Sequence, residues 1–201
     1  MYFLLTLISK HTTLNIYASI ERFIMKIQKL TLCALICAFI CVIAPLSIPM
    51  GTVPLTLATF AIYIAASITD ISISLPALAG YILLGAFGIP VFSGFAGGLQ
   101  QLAGVTGGYI IGYIPCLITI SLLTRKFPDR KTIYPISMTL GTLVCYIFGT
   151  AWYVIQTKSS ISSALLLCVV PFIIGDIIKI IAAGIIGYNL RNRLSRIYRK
   201  G

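Results

Sequence analysis

Asp176 and Lys179 have the strongest potential for chemistry, because both interrupt an otherwise apolar stretch near the C-terminus. Residues three apart lie on the same face of a helix. An ionisable residue inside a membrane helix costs about 2.5–3.5 kcal/mol on the insertion scale, and it usually faces the bundle interior, where it marks a ligand or a pathway. The spacing therefore predicts a polar binding site, and the alternative is an ion pair that only fixes helix packing.

The sequence from Thr106 to Tyr109 is a second candidate, because it joins a hydroxyl, two glycines and an aromatic ring. Gly107 and Gly108 would let a ligand approach the backbone closely, and Thr106 could cap the following helix and leave free N–H groups for an acceptor. A plain turn with a helix cap has the same pattern. Both interpretations, a ligand contact and a turn, are open on this evidence.

Further candidates are uncharged. Thr56 and Thr59 place two hydroxyls at one end of an apolar segment, although such hydroxyls more often bond their own backbone. Phe92 belongs to a glycine-rich loop, 88–101, that could gate a cavity or serve as a flexible connector. Tyr81 is one of several aromatic residues that could line an apolar site; the others are Tyr109, Tyr113, Tyr146, Trp152 and Tyr153. For several of them the simpler interpretation is a position at the membrane interface or in the core.

Composition indicates that these residues are positioned by membrane helices. Hydrophobic residues make up 59% of the 201-residue chain, charged residues only 9%, and the mean hydropathy is +1.03, which excludes an ordinary soluble domain. We predict an all-α integral membrane protein, a six-transmembrane-helix bundle. The predicted helices are Leu30–Pro49, Pro54–Thr69, Ile71–Gly88, Gly107–Leu123, Ile133–Gln156 and Pro171–Leu190, with Ser159–Val170 as a separate outer piece.

Charge placement predicts the orientation. If six helices put both termini on one side, thirteen of the 15 Lys and Arg residues fall on that side, and the two others are Lys158 and Lys179. The positive-inside rule then places both termini in the cytoplasm and the chain in the plasma (inner) membrane. The net charge of +11 therefore reflects topology, and it does not indicate a nucleic-acid partner.

The sequence lacks the residues that several classes of protein require for their function. The chain has one histidine, His11, and six cysteines without a CxxC pair, so we expect no catalytic centre, no metal site and no cofactor. It has no G-x-x-x-x-G-K-[ST] phosphate loop, so active transport would draw energy from an ion gradient or a partner. We predict that the chain is not an enzyme.

The chain divides into three predicted parts. Residues 1–25 form an N-terminal extension, either an interfacial amphipathic helix or a mis-assigned start, since Met25 could equally be the first residue. Met1–Ser9 lacks a positive n-region and a small-residue cleavage site, so it is not read as a signal peptide. Residues 26–193 form the membrane domain, and 194–201 form a basic cytoplasmic tail.

Four stretches taken together resemble the BioY family: 53–60, 80–92, 104–112 and 171–179. Members of that family are biotin-binding substrate components (S components) of energy-coupling factor (ECF) transporters. The resemblance covers about residues 25–193 in the right order. It implies a six-helix S component that captures biotin from outside with high affinity.

The resemblance also implies partners and residue roles. The partners are a transmembrane coupling protein (T component) and ABC-type ATPases, with Ala34 and Ala38 as the small residues that dock the coupling protein. Asp176 would accept hydrogen bonds from the ureido N–H groups of biotin, while Lys179 donates to the ureido carbonyl or orients Asp176. The valerate carboxylate would lie nearer the mouth, at 106–109 or at hydroxyl groups.

One position departs from the resemblance. Ala58 stands where the family usually has glutamine, which removes an amide donor and acceptor. A biotin precursor or another small amphipathic carboxylate is therefore an alternative ligand. A purely structural intramembrane scaffold is the alternative from a different class.

Overall fold

The computed structural model describes residues 2–50 and 53–198, and it places side chains for 23–50 and 53–193. Over these ranges the chain forms eight α-helices and one two-residue antiparallel ladder. The helices are α1 Tyr2–Ile43, α2 Ala58–Ile68, α3 Ile71–Ala86, α4 Leu99–Ala103, α5 Gly107–Lys126, α6 Ile133–Thr157, α7 Ile161–Cys168 and α8 Ile173–Tyr198. The ladder pairs β1 (Ser47–Ile48) with β2 (Leu55–Thr56) between α1 and α2.

Six of these helices form the predicted all-α membrane bundle: α1, α2, α3, α5, α6 and α8. Four helical stretches are long and apolar enough to cross a membrane: Phe23–Ile43, Gly107–Lys126, Ile133–Thr157 and Ile161–Arg193. Helix α2 has only 11 residues, a rise of about 16 Å against a hydrocarbon core of about 30 Å. Eight of its residues are buried, so neighbouring protein covers the backbone at its ends.

The junction between α1 and α2 differs from the prediction. Helix α1 ends at Ile43 rather than Pro49, and α2 begins at Ala58 rather than Pro54. The intervening chain folds back as the β1–β2 hairpin, whose backbone hydrogen bonds replace those of longer helices. Hydropathy alone does not distinguish such a short apolar hairpin from a helix end.

The C-terminal segment divides as predicted. Residues Ile161–Cys168 form the short helix α7, separated from α8 by a single 3₁₀ turn at Val170–Phe172 that contains Pro171. Helix α8 continues past the expected end at Leu190 to Tyr198. The side chains of the predicted basic tail, residues 194–201, lie outside the described residues.

The N-terminal extension continues directly into the bundle. Helix α1 is one helix from Tyr2 to Ile43. The side chains of residues 1–22 lie outside the described residues, so the interfacial position of this extension and the domain boundaries stay predictions.

Contacts between helix ends define the two ends of the bundle. Arg191 of α8 donates a hydrogen bond to the carbonyl of Ser67 at the end of α2, at 3.1 Å. Tyr134 at the start of α6 packs edge-on against Tyr188 of α8, with ring centroids 5.5 Å apart. The charged loop 127–132 therefore lies at the same end of the bundle as the C-terminal ends of α2 and α8. We call this end the basic end. The hairpin, α4 and α7 lie at the opposite end, which we call the hairpin end.

Candidate functional site

A cavity of about 420 Å³ lies at the hairpin end, inside the bundle, and we call it the central cavity. Its volume falls in the range of small-molecule sites, about 300–1,000 Å³. Helices α2, α3, α5, α6 and α8 form its walls, while the hairpin, the loop after α3 and α4 form its roof. Eight of the ten predicted contact residues line it: Thr56, Thr59, Tyr81, Phe92, Thr106, Tyr109, Asp176 and Lys179.

Asp176 and Lys179 form an ion pair in the wall of this cavity. The Lys179 ammonium lies 2.9 Å from Asp176 Oδ1 and donates to Thr59 Oγ1 at 3.4 Å. The second carboxylate oxygen, Oδ2, accepts a hydrogen bond from the hydroxyl of Tyr146. Both charged residues are more than nine-tenths buried. Each buried charge therefore has polar partners, which is the condition for its tolerance in the low-dielectric interior.

The pair retains unused hydrogen-bonding capacity. An ammonium has three donors, and the protein uses two of those of Lys179. A carboxylate has about four acceptor positions, and the protein uses two of those of Asp176. The cavity wall thus presents a donor next to an acceptor, a pattern that suits a neutral ligand group with a carbonyl beside N–H groups.

Aromatic rings form much of the apolar wall. Tyr81 and Phe92 pack edge to face with centroids 5.6 Å apart, and each is at most 2% exposed. Phe92 comes from the loop after α3 and fits against Gly85, where any Cβ would lie 2.2 Å from the ring. The ring of Tyr109 adds to the wall, while its hydroxyl donates to the carbonyl of Cys168 at 3.3 Å. These contacts make the loop part of the cavity wall, and a gating role for the loop stays a prediction.

The hydroxyl of Thr56 is already used by the protein. It donates to the carbonyl of Ala44 at 2.7 Å and accepts from the backbone N–H of Ala58 at 3.0 Å. These bonds fasten the hairpin to the end of α1. Thr56 therefore lines the cavity but follows the backbone-bonding alternative, whereas Thr59 interacts with Lys179.

The two predicted glycines do not line the cavity. A Cβ on Gly108 would lie 2.2 Å from Cβ of Trp152, and one on Gly107 would lie 1.8 Å from the carbonyl oxygen of Leu102. Their missing side chains allow α5 to pack closely against its neighbours. Thr106 does line the cavity, but its side chain makes no capping hydrogen bond. Close packing therefore accounts for both glycines, and a ligand contact through their backbone stays a prediction.

Two hydrogen bonds hold the roof. Trp152 Nε1 donates to the carbonyl of Gly104, and Gln156 Nε2 donates to the carbonyl of Ala103, both at 2.9 Å. These bonds fix the end of α4 to helix α6. Their position explains how a five-residue helix stays over the cavity mouth.

Sequence reasoning missed the contribution of α6. Thr142, Cys145 and Tyr146 all line the cavity, and the first two had not been named as candidates. Tyr146 was one of several aromatic residues, with no sign of its bond to Asp176. The available signal was the i, i+3, i+4 spacing of these residues, which places them on one face of a helix.

Ala34 and Ala38 lie away from the cavity, on α1. Both are exposed, whereas Ile36 and Ile40 on the opposite face are buried in the core. A close approach by another helix is sterically open on the alanine face.

Comparison with known proteins gives one consistent family. The sequence model of the BioY family matches residues 13–196. The chain is 38% identical over 170 residues to biotin transporter BioY2 of Lactococcus lactis, covering 85% of this chain and 93% of the relative. It is also 38% identical over 157 residues to biotin transporter BioY of Thermotoga maritima, covering 77% and 90%.

A solved structure has the same fold. The match has a TM-score of 0.78 at 27% sequence identity, and it covers 84% of this chain and 93% of the other. That structure is the S-component for biotin from an ECF-type ABC transporter.

Proposed function

The chain belongs to the BioY family, and we propose that it captures biotin from the outer side of the membrane as the S component of an ECF-type transporter. The observation that carries this proposal is the buried Asp176–Lys179 pair, which presents a free donor beside a free acceptor in the central cavity. Its relatives are transporters by name, and the activity proposed is binding and transport rather than catalysis.

The ureido group of biotin complements the ion pair. A urea has two N–H donors and one carbonyl acceptor, and it carries no charge. In the proposed complex, Asp176 accepts from the N–H groups while Lys179 donates to the carbonyl. Tyr146 and Thr59 hold the two charged groups in place. A neutral ligand group leaves the charge balance of the buried pair unchanged, so no new charge is desolvated.

The rest of the ligand suits the remaining surfaces. The fused rings are apolar, and the walls of Tyr81, Phe92 and Tyr109 offer contact area to them. The valerate carboxylate would extend toward the mouth, near Thr106 and the amides of α4, where water can solvate it. Gly107 and Gly108 do not line the cavity, and a contact between their backbone and the carboxylate stays a prediction.

Transport requires partners beyond this chain. We propose that a T component docks on the exposed Ala34 and Ala38 face of α1 and that ABC-type ATPases supply energy. The charge asymmetry supports an orientation in the plasma (inner) membrane with both termini in the cytoplasm and the cavity toward the outside.

Ala58 favours one alternative ligand. It lines the cavity where the resemblance expects glutamine. A biotin precursor that retains the ureido group, such as dethiobiotin, would use the same ion pair. The binding experiment therefore includes both compounds.

The test is equilibrium binding of biotin to the purified chain in detergent, together with thermal unfolding. Asp176→Asn keeps the shape of the side chain but removes the charge that pairs with Lys179. We expect affinity to fall by about 30-fold or more, because removing one partner of a buried charge pair costs about 2–5 kcal/mol. A folded wild-type chain that binds neither biotin nor dethiobiotin would refute the proposal.

Asp70→Asn is the matched control. Asp70 is exposed between α2 and α3, and its side chain makes no capping bond. This variant removes the same charge from the same chain and should bind like the wild type. If both variants lost biotin affinity equally, the loss would follow from the change in net charge rather than from the cavity.

A further inference from the structure

A second depression, of about 320 Å³, lies near the basic end between α6 and α8. Its lining includes Lys131, Pro135, Ile181, Gly184, Tyr188 and Asn189. We call it the basic groove. It is separate from the central cavity, with which it shares no lining residue.

The groove is polar at one end and apolar at the other. Lys131, Tyr188 and Asn189 lie near the basic end of the bundle, whereas Ile181 lies eight residues back along α8, about 12 Å deeper. Gly184 lines the groove but is itself buried, and a Cβ there would lie 3.5 Å from Cδ of Pro135 on α6. A polar end followed by an apolar channel along a membrane helix matches the boundary between lipid headgroup and acyl chain.

The apolar part faces the bilayer. Ile181 and Ile185 are 56% and 61% exposed, on a helix long and apolar enough to span a membrane. A water-soluble anion would not cover these side chains. An acyl chain would cover them, which favours a lipid as the occupant of the groove.

Lys131 supplies a charge without an acidic partner. Its ammonium lies 5.4 Å from the ring centroid of Tyr188, a cation–π contact that holds it at the groove. Among the residues with described side chains, the ion pair found is Asp176–Lys179, so no carboxylate oxygen lies within 4 Å of the Lys131 ammonium. Asp129 is the nearby acid in sequence, and it is exposed.

The surroundings add to this positive charge. Exposed basic residues near the same end are Arg125, Lys126, Arg130 and Arg193. Arg191 differs from these, because it already donates to the carbonyl of Ser67. A juxtamembrane Lys or Arg attracts an anionic lipid by about 1 kcal/mol, and this attraction falls off within a Debye length. Lys131 lines the groove and the four other residues do not, so Lys131 contributes most of the attraction for a phosphate bound there.

We propose that the basic groove binds an anionic glycerophospholipid, with the phosphate at Lys131 and Asn189 and one acyl chain along Gly184 and Ile181. The site lies between α6 and α8, whereas the alanine face proposed for the T component belongs to α1, which packs against α2 and α3. The two proposed sites therefore lie on different helices.

The test compares phosphatidylglycerol with phosphatidylcholine of the same acyl chains, added to the purified full chain in a neutral detergent. Native mass spectrometry counts bound lipids. We expect the wild type to prefer phosphatidylglycerol by about fivefold, the ratio that corresponds to about 1 kcal/mol per basic residue. Lys131→Gln should abolish this preference. Equal binding of the two lipids by the wild type would overturn the proposal.

Lys126→Gln is the matched control, because Lys126 is also exposed and stacks on an aromatic ring, with 5.5 Å to the centroid of Phe127. Lys126 lies outside the groove, so the variant should still prefer phosphatidylglycerol over phosphatidylcholine by about fivefold. Equal loss in the two lysine variants would refute a site at Lys131 and indicate a diffuse charge effect.

Two further experiments test whether a water-soluble phosphate can replace the lipid and whether the apolar channel contributes to binding. Glycerol phosphate in large excess should not displace phosphatidylglycerol, and displacement would overturn the role of the acyl chain. Gly184→Leu places a larger side chain against Pro135, where α6 and α8 form the groove, and should reduce binding of both lipids. If that variant does not fold, the Lys131→Gln and Lys126→Gln comparison alone decides the proposal.

Discussion

Two lysines in two concave sites differ in how their charge is balanced. Lys179 in the central cavity is buried and bonded to Asp176 and Thr59. Lys131 in the basic groove is exposed and rests on the ring of Tyr188 without an acidic partner. The first arrangement presents hydrogen-bonding groups with no net charge, whereas the second presents a net positive charge.

This difference in charge balance decides which ligands each site can bind. A neutralised pair in a low-dielectric cavity favours a neutral polar group, because an added charge there would have to be desolvated without a partner. An unneutralised lysine at a headgroup boundary favours an anion. Location in a membrane protein therefore decides what a lysine recognises as much as its residue type does.

The largest expected effect comes from removing both charges of the central cavity. The double variant Asp176→Asn with Lys179→Met leaves no unpaired buried charge, so we expect a thermal stability close to that of the wild type. Biotin affinity should fall by about 150-fold or more, because two hydrogen bonds to charged groups, each contributing about 1.5–3 kcal/mol, are lost. Binding isotherms and thermal unfolding on the same preparation check this. Retained tight binding would leave the pair with a structural role only.

The next variant tests the hydrogen bond from Tyr146 on α6 to Asp176. Tyr146→Phe removes the hydroxyl that donates to Asp176 Oδ2 and keeps the ring. A hydrogen bond to a charged group contributes about 1.5–3 kcal/mol, so biotin affinity should fall by about 10- to 100-fold. Tyr153→Phe, on the same helix but outside the cavity, should have little effect. If the two variants bind equally, Tyr146 does not hold the carboxylate for binding.

A smaller effect tests whether the cavity gains from a neutral polar group. Ala58→Gln adds the amide that the family resemblance expects at this cavity position. One additional neutral hydrogen bond contributes about 1 kcal/mol, so we expect about a fivefold gain in affinity for one of the two ligands, biotin or dethiobiotin. Competition between the two compounds measures which ligand gains. A loss for both would mean that the cavity has no room for the longer side chain.

The smallest effect is the response of the basic groove to salt. Raising ionic strength from about 0.1 M to about 1 M shortens the screening length from about 10 Å to about 3 Å. The exposed Lys131 should then lose its fivefold preference for phosphatidylglycerol, while the buried ion pair is screened much less. Lipid binding measured at both salt concentrations checks this. A preference that persists at high salt would indicate recognition by shape rather than charge.

Most of the bundle is predictable from the sequence. Strongly apolar segments predicted α3, α5 and α6 to within a few residues, because hydropathy reports burial in lipid directly. Hydropathy misplaced the end of α1 and the start of α2, because the short β1–β2 hairpin is also apolar. The sequence separated α7 from α8 correctly through Pro171, which cannot continue a helix without losing a backbone hydrogen bond.

The site was predicted in part for similar reasons. Asp176 and Lys179 are visible in sequence because charge is rare in membrane helices, and their i, i+3 spacing makes them neighbours. For Gly107 and Gly108 the sequence left a ligand contact and a turn equally open, and the structure adds that both pack closely against Leu102 and Trp152. Sequence alone did not distinguish the two uses.

By itself, the sequence determined that the chain lies in a membrane, that charge concentrates at one end, and that α8 carries a polar pair. These properties follow from residue type and local spacing. Tertiary structure decided that Tyr146 reaches Asp176 from a helix 30 residues away, that Phe92 folds from a loop against Gly85, and that a groove opens beside Lys131. Such contacts depend on how distant helices pack, because side chains far apart in sequence meet only after the backbone has set their separation.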